Sequence, residues 1–220
     1  MRRQCWLLAA LGAFTSFGFG QSFEASVGGG QSLFTSSSAD IGTVTGNPAS
    51  GTYRLNDGFR ICARMTLNNM RFFGHEFGYA YNHTSLEMPS SISTGTGGIL
   101  LPGQPGTGAV VIPASTLSLP AHQGFYNFLA YAVPEGKVIR PFATGGVQFT
   151  AFSDPNSQYT GNRETKYGYN FGGGVKVKVK ENWGFRLDGR QYNMGKPFNL
   201  PNASGRLRMW EFSGSISFLL

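Results

Sequence analysis

RLRMWEFSGSISFLL, residues Arg206–Leu220, decides how this chain folds. Trp210, Phe212, Gly214, Ile216, Phe218 and Leu220 share one parity, and Glu211, Ser213, Ser215 and Ser217 share the other. A period of two belongs to an extended strand with two unlike faces. One face here is apolar and aromatic, the other polar and small. The pattern continues to Leu220, and a terminal strand frays unless another strand pairs with it. It therefore needs a partner, and its apolar face needs an apolar medium.

Composition narrows that medium. Among 220 residues, 32 are Gly, 14% are aromatic and only 13% are charged, against about 25% charged in ordinary soluble domains. Beyond the N-terminus no apolar run reaches the roughly 18 residues of a membrane helix. The N-terminus itself reads as a secretory signal peptide over residues 1–20, with the barrel expected over 21–220. Arg2 and Arg3 form its basic end, Cys5–Phe14 its short apolar core, and Gly18-Phe19-Gly20 a small-x-small cleavage site. Its loss would take the net charge from +7 to +5 and leave Cys62 as the lone cysteine, so no internal disulfide can form. The basic residues are scattered singly, which excludes a nucleic-acid stripe.

The same alternation recurs from Phe23. It predicts strands over Phe23–Leu33, Phe59–Thr66, Phe73–Asn82, Gly124–Val133, Lys137–Phe152, Lys166–Val179 and from Trp183 to Tyr192, with Arg206–Leu220 last. The two faces of Gly124–Val133 are mixed and unassigned. Long connections are expected at Thr35–Asp57, Thr84–Ala121, Ser153–Thr165 and Asn193–Gly205, and short turns at Asn68-Asn69, Pro134-Glu135-Gly136 and Glu181-Asn182. Long and short connections alternate. The fold class is therefore all-β: an eight-stranded antiparallel up-and-down transmembrane β-barrel with long extracellular loops and short periplasmic turns.

A soluble calyx would use the same strands with the apolar face inside. The opposite face argues against it, because it carries small residues (Gly28, Gly74, Gly78, Gly146, Gly172, Gly174) and a few charges, suited to a narrow lumen rather than a solvated exterior. Aromatics also gather near strand ends: Trp183 and Phe218 at one rim, and Tyr79, Tyr81, Tyr167, Tyr169 and Trp210 at the other. Membrane-interface girdles have this form. Closure of Arg206–Leu220 onto Phe23–Leu33 would pair every backbone group, as lipid demands.

Several stretches together resemble the small outer-membrane β-barrels of the OmpA-like and opacity-protein-like group. They are Val133-Pro134 with Ile139-Arg140-Pro141-Phe142-Ala143-Thr144-Gly145-Gly146-Val147, then Asn170-Phe171-Gly172-Gly173-Gly174-Val175, Gly184-Phe185-Arg186-Leu187-Asp188-Gly189-Arg190, and the terminal strand. The resemblance implies location in the cell outer membrane, contact with its lipid and lipopolysaccharide, and insertion by the outer-membrane assembly machinery through Arg206–Leu220. It implies the barrel alone, as a monomer, without a peptidoglycan-binding domain. Leu220 stands where the group usually ends in Phe.

By parity the lumen receives Glu24, Arg60, Arg64, Glu76, Arg140, Lys176, Lys178, Arg186, Asp188, Arg190 and Glu211, seven basic against four acidic. Unpaired charges in a dry lumen are costly, so these residues should form one network. The network either plugs the barrel or gates a narrow passage for small anionic solutes, with Glu76, Arg186 and Arg190 at its centre. The main expectation is a structural or surface-interaction role without catalysis, with residues 84–121 as the candidate contact surface for a surface ligand. A lipid A-modifying enzyme is a further alternative, and His83/Ser85/Glu87 is the only local Ser–His–acid grouping. No metal or cofactor motif is present: His75-Glu76 has no second His, and the Gly triplets lack a following Lys-Ser/Thr.

Overall fold

The structure, a computed structural model, describes residues 22–44, 51–94, 109–153, 163–200 and 202–220. The signal-peptide expectation lies outside these residues. In chain order the elements are β1 (Ser22–Phe34), a helical turn α1 (Ser36–Ala39), β2 (Asp40–Val44), β3 (Gly51–Met70), β4 (Phe73–Met88), β5 (Ser91–Thr94), β6 (Ala109–Ile112), β7 (Ser115–Tyr131), β8 (Ile139–Ser153), β9 (Arg163–Lys178), β10 (Trp183–Gly195) and β11 (Arg206–Leu219).

The sheet order is β1-β11-β10-β9-β8-β7-β4-β3, and β1 also pairs with β3, which closes eight strands into a barrel. All these pairings are antiparallel. The terminal strand finds its partner as its sequence requires: Ala25 lies opposite Phe218, and Leu33 opposite Trp210. Strand β2 is a ninth strand, attached to the far end of β3.

Burial is inverted relative to a soluble fold. Phe212 and Phe218 are each 53% exposed, whereas Glu211, next to Phe212, is 0% exposed. Such a face is stable only against hydrocarbon. The narrow lumen then accepts charges provided they pair.

The structure moves several boundaries. The turn between β3 and β4 is Arg71-Phe72, not Asn68-Asn69. The connection expected over Thr35–Asp57 holds α1, β2 and the first residues of β3. Of the described residues in the connection expected over Thr84–Ala121, most are strand. β4 and β7 stay in register from Phe73↔Ala130 to Met88↔Ser115, and β5 pairs with β6 as a separate ribbon. The sequence there is rich in Ser, Thr and Pro, and its apolar residues Leu86, Leu119 and Ala121 face inward, the reverse of the lipid-facing alternation elsewhere, but backbone pairing does not depend on that contrast.

The unassigned strand, within β7, places Gln123, Phe125, Asn127, Leu129 and Tyr131 inward, all 6% exposed or less. Phe125 explains Gly78: a Cβ on Gly78 would enter the Phe125 ring. Phe142 similarly covers Gly174.

Candidate functional site

Inward-facing side chains stack into tiers along the lumen. At the end bearing the short turns, the Lys176 Nζ donates to Glu24 Oε2 at 2.5 Å and to the Tyr131 hydroxyl at 2.9 Å. Arg140 lies over the Tyr131 ring, 3.4 Å from its centroid, and donates to the Arg71 carbonyl at 3.0 Å. A cavity of about 140 Å³ opens here, lined in part by Glu24, Asn68, Arg140, Lys176 and Ser217.

The middle tiers hold seven interlocked charges. Glu76 forms an ion pair with Arg186 Nη1 at 2.6 Å and accepts a hydrogen bond from Arg190 Nη1 at 2.7 Å. Asp188 accepts from Arg186 through Nε at 2.8 Å and Nη2 at 2.9 Å, and from Arg190 Nη2 at 2.8 Å. Arg64 connects to the next tier: its Nη1 lies 3.6 Å from Asp188, and its Nη2 donates to Glu211. Glu211 also pairs with Arg60 at 3.1 Å and accepts the Tyr192 hydroxyl at 2.6 Å. These four arginines and three carboxylates are 5% exposed or less.

The arrangement follows from strand geometry. Arg186, Asp188 and Arg190 alternate along β10, so Asp188 sits between two guanidiniums on one face. Planar guanidinium groups bind carboxylates through two donors at once, which a lysine ammonium cannot reproduce.

The loop end is sealed by apolar side chains. Ile41, Leu55, Leu86, Leu119, Phe152, Met194, Leu207 and Met209 form a buried cluster, with Phe34, Tyr53 and Phe198 against it. Ile41 reaches it because α1 turns the chain into the barrel mouth, where Ser38 Oγ donates to the Arg208 carbonyl at 3.1 Å and accepts its N–H.

Parity in the sequence assembles the charges but not this seal, nor Phe125, Leu129, Tyr131 and Phe142. The parity of Gln123 and Asn127 marked the inner face of β7 and could have located three of them. The aromatics Trp183, Phe218, Tyr79, Tyr81, Tyr167, Tyr169 and Trp210 lie on the outward face, with Trp183 opposite Phe218 near the turn end. Lys178 borders the turn-end cavity rather than joining the charge cluster.

His83, Ser85 and Glu87 do not form a loop site. They lie on the outward parity of β4, where the His83 ring stacks on Phe59 at 5.1 Å and Ser85 Oγ accepts from Asn56 at 3.4 Å. His75 and His122 are likewise outward, each within 2.7 Å of a tyrosine hydroxyl, those of Tyr126 and Tyr79. Among the described residues no three His, Cys, Asp or Glu side chains converge on a metal position.

Comparison with known proteins agrees with this geometry. The profile of the outer membrane protein beta-barrel domain matches residues 6–218. No curated protein matches in sequence. Similar solved structures include OprG from Pseudomonas aeruginosa (TM-score 0.55, 12% identity, 91% of this chain and 97% of that one). Others are Neisserial surface protein A (0.52, 11%, 91% and 99%) and the N-terminal barrel of Pseudomonas aeruginosa OprF (0.51, 11%, 92% and 100%). At these identities the likeness concerns the fold.

Proposed function

Since the chain belongs to the outer membrane protein beta-barrel domain family, and so resides in the outer membrane, we propose that it is a sealed, non-catalytic scaffold that presents surface structure at its loop end. The filled lumen supports this reading: the charge cluster is closed off by the apolar seal of Leu55, Leu86, Leu119 and Met209. A pathway for solute would have to break both. The β5–β6 ribbon, carried on the extensions of β4 and β7, is the surface element offered to a partner. The intact barrel is expected to give no conductance steps in planar bilayers, and Glu76→Ala is expected to stay silent because the apolar seal remains. Stepwise opening by Glu76→Ala would refute the scaffold.

That result would favour the second reading, a gated passage for small anions. Its support is the shared acceptor Asp188, which three arginines approach, so that pairs could exchange without leaving a carboxylate bare. The positive excess would favour anions.

A further inference from the structure

The cavity at the end bearing the short turns is charged in a way that the lumen network does not explain. Its volume is about 140 Å³, and its ionic lining is Glu24, Glu135, Lys137, Arg140, Lys176 and Lys178. None of the middle-tier charges borders it. Both carboxylates are already engaged, Glu24 by Lys176 at 2.5 Å and Glu135 by the Ser22 hydroxyl. Among the described residues Lys137, Arg140 and Lys178 pair with no carboxylate, whereas each middle-tier arginine has one.

Arg140 carries the argument furthest. It is 6% exposed, yet its donors meet only neutral groups: the Arg71 carbonyl at 3.0 Å, and the Val133 carbonyl and Asn68 Oδ1 at 3.4 Å each. It also lies directly opposite Lys176 in the β8–β9 ladder, a like-charge juxtaposition that costs stability. A buried cation without a counter-charge is expensive. Lys178 continues the inward parity of Lys176, and its neighbour across the sheet is Gly184, which has no side chain to fill the space. Lys137 stands exposed on the connection between β7 and β8. Three unpaired cations therefore surround one opening on the periplasmic side.

We propose that this cavity is a binding site for a carboxylate group arriving from the periplasm. Charge selects an anion, which would supply the counter-charge that Arg140 lacks. Size selects a small group, since the cavity has room for only a few molecules the size of water, each of which takes about 30 Å³ in the liquid. A carboxylate fits better than a phosphate for two reasons. Glu24 and Glu135 on the same lining oppose a second negative charge, and the Arg140 fork that would grip a phosphate is spent on Asn68 and Arg71. Lys137 and Lys178 act as point charges that follow the ligand. A free small acid and the C-terminus of a periplasmic polypeptide carry the same group, and the test separates them. The inference goes beyond the scaffold reading and is unaffected by whether the lumen conducts.

The test uses the full protein folded in phosphatidylcholine nanodiscs, with the backbone amide resonances of Gly136 and Gly184 on the cavity lining as readout. Propionate should shift both to saturation, and neutral propionamide should shift neither. K137Q/K178Q should weaken propionate binding on the order of tenfold, the loss of two Coulombic attractions damped by water. K180Q, outside the cavity, should bind like wild type. Trialanine that binds more tightly than propionate, and loses this on C-terminal amidation, identifies a polypeptide end; trialanine that binds no better identifies a free acid. Inorganic phosphate binding more tightly than propionate would overturn the carboxylate assignment. Equal shifts from propionate and propionamide, or unchanged affinity in K137Q/K178Q, would overturn the site. Should K137Q/K178Q lose the heat-modifiable migration of a folded barrel, the comparison of propionate with propionamide on wild type decides alone.

Discussion

Removing the Glu76 carboxylate tests whether the lumen is a dry, paired plug. In the wild type Glu76 lies 2.6 Å from Arg186 Nη1 as an ion pair and accepts hydrogen bonds from Arg190 Nη1 at 2.7 Å and Asn127 Nδ2 at 3.2 Å. Glu76→Ala leaves four arginines facing Asp188 and Glu211 alone, and Arg186 and Arg190 must then share Asp188. Stripping one partner from a buried charge cluster costs about 3–5 kcal/mol, mostly from the charge left behind. With a urea slope of about 2 kcal/mol per M, a loss of about 4 kcal/mol lowers the unfolding midpoint by about 2 M. The assay is urea unfolding of the barrel in lipid vesicles, followed by tryptophan fluorescence and by heat-modifiable migration. Glu76→Gln retains an acceptor and should lose roughly half as much, since only the charge is removed. A Glu76→Ala midpoint within about 0.3 M of wild type would mean that water replaces the carboxylate freely, and the plug argument would fail.

Three further outcomes follow from the geometry. Replacing residues 89–114 by Asn-Gly should leave a folded barrel, because Met88 and Ser115 are already paired and a two-residue turn joins such a pair; on the scaffold reading proposed above, cells displaying the shortened protein should adhere less than cells displaying the full-length one. Gly28→Val should abolish the heat-modifiable form, because a Cβ there would enter the backbone of β11 at Gly214 and Ser215 and prevent the strands from meeting at the seam. Leu119→Ala should destabilise the barrel by about 2–4 kcal/mol in the same urea assay, since Leu119 is fully buried in the loop-end seal, and unchanged stability would show that the seal is loosely packed.

The parts of the fold legible in the sequence are those where the two faces of a strand meet different media. From Glu211 to Phe218 each residue alternates between lumen and lipid, and the chemistry alternates with it. The same contrast places Glu76, Arg186 and Arg190 on one surface. Legibility fails where the contrast vanishes. In β7, Phe125 and Leu129 face inward while Tyr126 and Phe128 face outward, so both parities are apolar. From Thr116 to Ala121 the apolar residues Leu119 and Ala121 face inward and Thr116 and Ser118 outward, the reverse of the lipid-facing contrast, and a paired strand reads as a loop. The apolar seal combines both failures, because its members come from strand extensions that lie beyond the simple pattern.

The seal and the charge cluster also depend on each other. A carboxylate–guanidinium cluster gains strength as the surrounding medium loses water, and the penalty for an unpaired member rises with it. Leu86, Leu119 and Phe152 keep bulk water from Tyr192 and Glu211 on the loop side, while Tyr131 and Phe142 narrow the turn side beside Arg140 and Arg186. Between these two apolar collars the cluster is tied across strands as well as along β10: Arg64 on β3 reaches Glu211 on β11, and Arg190 on β10 reaches Glu76 on β4. A one-residue slip in register would send one strand's charges into lipid and leave their partners bare. The dry cluster therefore selects the register that closes β1 onto β11, and the closed seam at Arg206–Leu219 in turn keeps the cluster dry.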